Sequence, residues 1–430
     1  MDRRRFYMKM KGLFVTLILL CLQLSFASTG SNYGNNIKNI TVVTEPTGEG
    51  QKMSAVIIEY RKNIRNSSLT NTSFEVTGRT VEKIYANNKA DKSARGRNGR
   101  FVIIELSKKD ENALVYNQVK NDISKKEIKL ETVQKRNIVF TDGRNTLSKT
   151  PLVNNKVINS IVDKFVQKEF TDEKTGETIK YNLYLPEGYS KNKKYPLLVF
   201  VHDAGVLSEE TDMTLLQGSG ATVWAMPEFQ KKYKTIVLAP QYSQATTGSG
   251  NEGNDSKVEA FKNLVENIQN EYSVDKKRTY SAGQSMGTML TINANIKYPY
   301  LFAASLFIAG QWDAQQMKAI YGKNMWIVVS EGDIKAFPGM NESTKLMSEN
   351  GGIVIHETWK GNDTSENIKE KTEKMAAADA NIKYVSLEKG TVVPQGKEDN
   401  PPNNHMYTWK LFYDPENFKE IREWLFKENK

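Results

Sequence analysis

The residues Gly283 to Gly287, GQSMG, constrain the fold of this chain more than any other stretch. They fit the pattern Gly-x-Ser-x-Gly, in which the serine lies on a sharp turn between a strand and a helix. The segment KRTYSAG before them predicts a short buried strand, and MGTMLTINANIKYP after them predicts a helix that ends at Pro299. The glycines leave room where a side chain would meet neighbouring backbone. The pattern therefore predicts that Ser285 is a nucleophile exposed in a cleft.

The first 27 residues have the composition of an export signal. Five basic residues lie within positions 3–11, and the apolar run LFVTLILLCLQL follows them. The segment Ser25-Phe26-Ala27 supplies small residues for a signal peptidase, and the apolar run is too short for a bilayer, which needs about 20 residues. We expect residues 1–27 to be a cleaved signal peptide. The protein would then be secreted or periplasmic, begin at Ser28 and have no stable membrane anchor.

Cysteine and charge exclude several classes of site. Cys21 is the only cysteine and lies in the export signal, so the exported chain would have no disulfide and no thiol nucleophile. The three histidines are not clustered, so we expect no metal and no organic cofactor. Without the signal the chain has 55 basic and 49 acidic residues, a formal charge of +6, mixed along the sequence. We therefore expect a solvated surface and no nucleic acid as partner.

The first part of the exported chain has a β pattern. From about residue 36 to residue 140, short segments with β-branched or alternating apolar residues are separated by polar turns. Examples are NITVVTEPT, KMSAVIIEYR, SFEVTG and RFVIIELSK. The pattern predicts an all-β immunoglobulin-like sandwich over residues 36–160, without the cysteine pair of antibody domains.

In residues 163–430, strand-like and helix-like segments alternate. We predict buried strands at PLLVFVHD, TIVLAPQ, RTYSAG, AASLFIAG, MWIVVSEG and IVIHETW. Helices are predicted at SKVEAFKNLVENIQNEY, DAQQMKAIYG and ENIKEKTEKMAAADA, and a last helix has Asp414 as its N-cap. This alternation predicts a mostly parallel sheet flanked by helices, with functional residues at the carboxyl ends of the strands.

A serine nucleophile needs a base, and the chain has only three histidines. His356 lies inside the predicted strand IVIHETW, where a structural role is more common. His202 ends the strand PLLVFVHD, upstream of the serine, where hydrolases build the oxyanion hole. His405 lies in the Pro- and Asn-rich segment NPPNNHMYTW, which we predict to be a loop. Its position after the nucleophile makes His405 the predicted base.

The acid of a triad is expected between the serine and the histidine, at the end of a strand. Asp333 closes MWIVVSEGD, 48 residues after Ser285 and 72 before His405. Asp313 follows SLFIAGQW at the previous strand end and is the alternative. Asp333 could instead be a turn or cap residue, because Gly-Asp is common in turns. We predict that Asp333 is the acid.

The tetrahedral intermediate of acyl transfer needs two fixed N–H donors. The predicted donors are the backbone N–H groups of Met286, next to the serine, and of Ala204 in the loop VHDAG. The predicted substrate-binding residues lie beside the serine or follow strand ends that face the site. They are Gln284, Gln311 and Trp312, with Lys335 as a further candidate.

These motifs together resemble a known family. The run YNLYLPEGYSKNKKYPLLVFVHDAG, followed by APQ, GQSMG, a Gly-Asp pair and a late histidine, resembles extracellular esterases and predicted peptidases related to polyhydroxybutyrate depolymerases and feruloyl esterases. The resemblance covers roughly residues 163–430 and implies an α/β-hydrolase fold. The segments SFEVTGRTVEKIYANN and RFVIIELS are similar to the immunoglobulin-like domain of EstA-type esterases, which implies a domain that supports assembly and shapes the active-site entrance. Asp203 departs from the family, in which glycine is usual there.

The main hypothesis is an exported serine esterase that acts on small-molecule or polymer-linked carboxylic esters. A serine peptidase of the prolyl-oligopeptidase type forms the same acyl-enzyme and is an alternative. A surface binding protein with weak or lost activity is the third hypothesis, because a carboxylate at Asp203 would oppose the charge that develops on the oxyanion. The polar stretch TTGSGNEGNDS predicts a mobile loop near the site, and the β domain is a candidate surface for homo-oligomerisation.

Overall fold

The computed structural model describes residues 36–119, 122–148, 150–247 and 253–429. The predicted signal peptide lies outside these ranges, as do residues 248–252 of the predicted mobile loop. Within the described ranges, each helix is either too short or too polar to cross a membrane.

The N-terminal part of the chain is built of β-strands, as the alternating pattern predicts. The strands in its described part are β1 (Ile37–Thr47), β2 (Gly50–Ile64), β3 (Phe74–Val76), β4 (Val81–Asn87), β5 (Gly99–Leu106), β6 (Tyr116–Val119), β7 (Asp122–Lys125), β8 (Glu131–Gln134), β9 (Ile138–Val139), β10 (Asn145–Thr146), β11 (Leu152–Val153) and β12 (Lys156–Asn159). One sheet has the order β12-β1-β2-β5-β4, and a second has the order β11-β8-β3. Val56 and Ile104 of the first sheet share a buried cluster with Phe74 of the second, so the two sheets form a sandwich.

The C-terminal part is built around one large sheet. Its strands among the described residues are β13 (Val166–Thr171), β14 (Thr178–Tyr184), β15 (Tyr195–Val201), β16 (Ile236–Gln241), β17 (Val274–Gln284), β18 (Ala304–Ile308), β19 (Asn324–Ser330), β20 (Val354–Trp359) and β21 (Ile382–Leu387). Their order is β13-β14-β16-β15-β17-β18-β19-β21-β20. The pairs β13–β14 and β14–β16 are antiparallel, and all later neighbours are parallel. The predicted mostly parallel sheet is therefore confirmed.

Helices cover both faces of this sheet. The α-helices of the described residues are α1 (Met213–Leu216), α2 (Pro227–Lys232), α3 (Asp255–Glu271), α4 (Met286–Lys297), α5 (Ala314–Met317), α6 (Ala336–Glu349), α7 (Ser365–Ala377), α8 (Pro401–Phe412) and α9 (Lys419–Trp424). Leu197 and Val199 of β15 share a cluster with α3 and α4, whereas Leu198 and Phe200 share one with α8 and α9. Successive residues of a strand point to opposite faces, so these helices lie on opposite sides of the sheet.

Three strands of the sheet, β13, β14 and β21, were not predicted. β21 lies between β19 and β20, so it occupies an interior position. Its sequence, IKYVSL, includes the buried residues Lys383 and Ser386, which interrupt the apolar run expected of such a strand. The segment IVIHETW contributes β20, which lies at the edge; its residues 354–358 are exposed or half-buried, and only Trp359 at its end is buried. The prediction that it is buried on both faces is wrong, because β21 takes the interior place.

The predicted N-cap of the last helix is also wrong. The helix α9 begins at Lys419, after Phe418 in a left-handed conformation with φ of 48°. Asp414 instead accepts a hydrogen bond of 3.0 Å from the N–H of Gly48, in the N-terminal part of the chain. Its carboxylate therefore joins the two parts of the molecule, a contact that local sequence does not reveal.

Candidate active site

Ser285 lies on the turn between β17 and α4, as the pentapeptide predicts. Its φ of 51° and ψ of −118° are unusual for a residue with a side chain, a conformation that costs roughly 1–3 kcal/mol. The turn is held by two backbone hydrogen bonds. The N–H of Ser285 donates to the carbonyl of Ile308 at 3.0 Å, and the N–H of Met289 donates to the carbonyl of Ser285 at 3.1 Å. The neighbouring strand and the helix thus fix the serine at the carboxyl end of β17.

The two glycines of the pentapeptide are required by close backbone approach. A Cβ on Gly287 would overlap the carbonyl oxygen of Val201, at the end of β15. A Cβ on Gly283 would lie 2.5 Å from the backbone nitrogen of Thr288. Both distances are too short for real atoms, so only glycine lets α4 start directly against β15 and β17.

We expect Gly287→Ala to destabilise the protein. Alanine favours a helix over glycine by about 1 kcal/mol, but the overlap with Val201 would force backbone shifts that typically cost about 1–3 kcal/mol or more. Thermal unfolding should show a lower Tm. Gly322→Ala is the matched control, because a Cβ at Gly322 would have no atom within 4 Å. An unchanged Tm in Gly287→Ala would contradict this account of the turn.

The structure brings Ser285, His405 and Asp333 together. The hydroxyl of Ser285 lies 2.8 Å from Nε2 of His405, and Nδ1 of His405 lies 2.5 Å from Oδ2 of Asp333. The Asp333 side chain is 5% exposed and that of His405 is 34% exposed. The imidazole therefore connects a buried carboxylate to a hydroxyl at the surface of a cleft.

His405 lies in a helix and not in the predicted loop. It is part of α8, whose first turn is capped by the side chain of Asn400. Pro401 and Pro402 occupy that first turn. Proline has no N–H, and at this place a helix makes no internal hydrogen bond with the N–H, so none is lost. The sequence Asn-Pro-Pro therefore marks the start of a helix. The prediction of a loop overlooked this signal.

The neighbour of the histidine, Asn404, holds α8 against the sheet. The hydroxyl of Ser330, at the end of β19, donates to Oδ1 of Asn404 at 2.9 Å. A Cβ on Gly332 would overlap the Asn404 side chain, so that glycine makes room for the contact. Sequence analysis did not identify Asn404. It sets the position of the imidazole because it is the adjacent residue on the same helix.

Asp333 lies after β19 and receives several hydrogen bonds. Its Oδ1 accepts from the N–H groups of Lys335 and Ala336, each at 3.0 Å, at the start of α6. Burial by itself would raise the pKa of this carboxyl group. The hydrogen bond with His405, together with the two N–H donors, nevertheless holds the pKa of Asp333 below its usual value. Asp333 therefore stays ionised at neutral pH.

The competing acid, Asp313, has a different place. It lies before α5, and its Oδ1 accepts a hydrogen bond of 2.8 Å from the N–H of Gln316. This is the contact of an N-cap residue. His356 also has a structural setting, with its ring stacked on Tyr384 at 4.2 Å and Nε2 at 3.0 Å from Ser386.

His202 anchors the loop that follows β15. Its Nδ1–H donates to the carbonyl of Asp203 at 2.7 Å, and its Nε2 accepts from the N–H of Tyr242 at 2.9 Å. Complete burial lowers the pKa of His202, and an imidazole that accepts a backbone N–H must be neutral. His202 is therefore a structural residue of this loop.

The two predicted oxyanion donors lie on facing segments. Met286 is the first residue of α4, so its N–H has no acceptor within the helix. Ala204 is exposed and begins a 3₁₀ turn that includes Gly205 and Val206. Among the contacts of the described residues, neither N–H donates to a protein acceptor. Both groups are thus free to bind an oxygen atom.

The loop around Ala204 is held by glutamine side chains from two other regions. Nε2 of Gln118, on β6 in the N-terminal part of the chain, donates to the carbonyl of Gly205 at 3.1 Å. Nε2 of Gln241, at the end of β16, donates to the carbonyl of Val206 at 2.7 Å. Sequence analysis assigned a role to neither residue: Gln118 belongs to no motif, and Gln241 was noted only as the last residue of the APQ motif.

A cleft of about 420 Å³ opens at Ser285. Most of its wall is apolar, and Ile334 is a large apolar side chain that is 69% exposed there. Besides the three residues joined by hydrogen bonds, the wall comprises Met289, Ala309, Gly310, Gln311, Ile334, Lys335, Pro401 and Pro402.

Two of the three predicted substrate-binding residues lie outside the wall of this cleft. Gln311 lines it, as expected. Gln284 is buried, and its amide donates to Oδ2 of Asp203 at 2.6 Å. Trp312 packs in an apolar cluster and donates its indole N–H to Gln316 at 3.1 Å. Proximity to a strand end placed these residues near the site, but the direction of the side chain depends on packing.

The described residues contain no group of three or more His, Cys, Asp or Glu side chains that could hold a metal ion.

Comparisons with known proteins agree with this architecture. The model of the esterase Ig-like N-terminal domain matches residues 39–147, and that of the putative esterase family matches residues 173–405. The crystal structure of a thermostable esterase is 27% identical, with a TM-score of 0.78, and the match covers 91% of this chain and 100% of that one. A mutant feruloyl esterase module from Clostridium thermocellum, complexed with sinapinate, is 17% identical, with a TM-score of 0.38. That match covers 60% of this chain and 88% of the module.

No curated protein matches the chain. The family model of the catalytic part nevertheless spans more than half of the 430 residues. The chain therefore belongs to the putative esterase family, with an esterase-type Ig-like domain before its catalytic domain.

Proposed function

We propose that this esterase is an exported serine hydrolase that cleaves carboxylic esters through an acyl-enzyme on Ser285. The observation that carries the proposal is the position of the His405 imidazole, 2.8 Å from the serine hydroxyl and 2.5 Å from Asp333. An imidazole in this position takes the hydroxyl proton while the carboxylate fixes its tautomer and stabilises its positive charge.

The proposed reaction has two halves. In the first, Oγ of Ser285 attacks the ester carbonyl carbon, and its proton passes to Nε2 of His405. The tetrahedral intermediate then collapses, and His405 returns the proton to the leaving alcohol. In the second half a water molecule loses its proton to His405 and attacks the acyl carbon; the bond to Oγ of Ser285 then breaks, His405 returns the proton to Oγ, and the carboxylic acid is released. These steps use only side chains and water, so the proposal includes no metal and no organic cofactor.

The proposed oxyanion hole consists of the N–H groups of Met286 and Ala204. Two features support this choice: both N–H groups lack a protein acceptor in the described structure, and Met286 adjoins the nucleophile. Removing one such donor from an acyl-transfer enzyme typically costs about 100- to 1000-fold in turnover. The hole is therefore expected to supply a large share of the rate.

The cleft supports an ester with an apolar acyl group. Met289, Ile334 and the two prolines of α8 present apolar surface close to Ser285. Gln311 and Lys335 add polar groups to the same wall, and we propose that they contact the substrate. Burying an apolar acyl chain against this wall would contribute roughly 25 cal/mol per Å² of surface removed from water.

A comparison of an ester with an amide tests the proposal against a peptidase. We expect the protein to hydrolyse p-nitrophenyl butyrate and to leave a peptide p-nitroanilide intact, since p-nitrophenolate leaves as the anion whereas the amine must be protonated as it departs. The release of p-nitrophenol or p-nitroaniline, followed by absorbance in the same buffer, gives the two rates. Cleavage of the anilide at a comparable kcat/KM would support a serine peptidase, and inactivity on both would support a binding protein.

We also propose that residues 1–27 are removed on export and that the mature chain begins at Ser28. The basic and apolar composition of that segment supports the proposal. N-terminal sequencing of the protein recovered outside the cytoplasm should begin at Ser28. A mature protein that begins at Met1 would contradict export by cleavage.

The domain bounds proposed are 36–160 and 163–430. They are supported by the end of β12 at Asn159 and the start of β13 at Val166, since the two strands belong to different sheets.

A further inference from the structure

The carboxylate of Asp203 is bonded to two segments of the chain. Its Oδ1 accepts a hydrogen bond of 2.7 Å from the N–H of Gly205, the residue after Ala204. Its Oδ2 accepts one of 2.6 Å from Nε2 of Gln284, the residue before Ser285. Asp203 is 7% exposed and Gln284 is 1% exposed, so water competes little for these contacts.

We propose that Asp203 is a positioning residue that fixes the oxyanion hole by joining the loop of Ala204 to the nucleophile turn. The proposal rests on the serine mechanism proposed above. The sequence predicted that a carboxylate in this loop would oppose the charge of the oxyanion. The proposal instead gives the carboxylate a supporting role.

The two proposed donors need such a connection because they lie on separate parts of the chain. Ala204 follows β15 and Met286 follows β17, and an oxyanion must be reached by both N–H groups at about 2.7–3.1 Å. One oxygen of Asp203 is bonded next to the first donor, and the other is bonded two residues before the second. The carboxylate thus sets the separation of the two donors. A misplacement of about 1 Å can cost about 100-fold in rate.

The negative charge of Asp203 acts in the opposite direction. A fixed carboxylate near the hole raises the energy of the oxyanion, although both of its oxygens are engaged by N–H donors. Asparagine would separate the two effects. Its Oδ1 can still accept from Gly205, and its amide can donate to Oε1 of Gln284, which has no hydrogen-bond partner in the described structure. Only a rotation of the Gln284 amide is needed.

Three variants test the proposal on a p-nitrophenyl ester. Asp203→Gly, which removes both bonds, should lower kcat about 10- to 100-fold and change KM less than about threefold. Gln284→Met removes one bond and should lower kcat in the same way. Asp203→Asn should keep kcat at or above the wild-type value. Affinity for a trifluoromethyl ketone, which forms an oxyanion on the serine, should fall in parallel with kcat.

The controls separate positioning from stability. The side chain of Thr364 caps α7 by accepting a hydrogen bond from the N–H of Asn367, so Thr364→Gly removes a bond from a side chain to the backbone outside the site and should leave kcat unchanged. Thermal unfolding shows whether each variant is folded. Wild-type kcat in Asp203→Gly would overturn the proposal, as would an Asp203→Asn variant that loses as much kcat as Asp203→Gly.

Labelling by a fluorophosphonate separates this proposal from the proposed function. If the wild-type protein hydrolyses the ester and is labelled, the serine mechanism stands and the variants test Asp203 alone. If the wild-type protein is neither active nor labelled, the proposed function fails, and the inference about Asp203 fails with it.

Discussion

Replacing His405 with alanine is expected to lower kcat for a p-nitrophenyl ester by about 10⁵- to 10⁶-fold, and Ser285→Ala is expected to do the same. The reason is that the hydroxyl, 2.8 Å from the imidazole, is a weak nucleophile until the imidazole takes its proton. Because the two residues act as a unit, the double variant should be no less active than either single variant.

The chain offers a matched control for this experiment. His356 lies on the edge strand β20, stacked on Tyr384 and remote in sequence from every proposed catalytic residue. His356→Ala should leave kcat unchanged, whatever it does to stability. A His405→Ala variant with wild-type activity would remove His405 from the mechanism.

Replacing Asp333 with asparagine is expected to lower kcat by about 10⁴-fold. Asparagine removes the negative charge that stabilises the imidazolium, and its amide favours the wrong tautomer of His405. The fold should survive, because an asparagine oxygen can still accept from the N–H groups of Lys335 and Ala336 at the start of α6. Unfolding curves of the wild-type protein and of Asp333→Asn will show whether the loss is confined to catalysis.

Asp313→Asn provides the comparison for that variant. Asparagine is as good an N-cap as aspartate, so the cap of α5 should persist and kcat should stay near the wild-type value. An active Asp333→Asn beside an inactive Asp313→Asn would transfer the role of the acid to Asp313.

The sequence predicted those turns and strands whose structure depends on residues close together in the chain. The glycines around Ser285 are required by contacts with the adjoining strand and helix, so the pentapeptide alone predicts the turn. Apolar runs such as the one in β15 predict buried strands because both faces of the sheet are covered. The strand β21 escaped prediction because its buried Lys383 breaks such a run.

The contacts that organise the site could not be predicted in this way. Gln118 reaches Gly205 from 87 residues away, and Gln284 reaches Asp203 from 81 residues away. No spacing or neighbouring residue in the sequence predicts that a glutamine makes such a hydrogen bond, so only the packed structure reveals it. The sequence likewise predicted that Trp312 lies near the site, but it did not predict that the side chain points into an apolar cluster.

The central claim is that an acyl group is transferred to Ser285, and mass spectrometry of a reaction stopped in acid tests it directly. With a p-nitrophenyl ester whose acyl group is slowly hydrolysed, the peptide that contains Ser285 should gain the mass of the acyl group, and Ser285→Ala should show no adduct. Turnover of the ester with Ser285 unmodified, or an acyl group on another residue, would contradict the account.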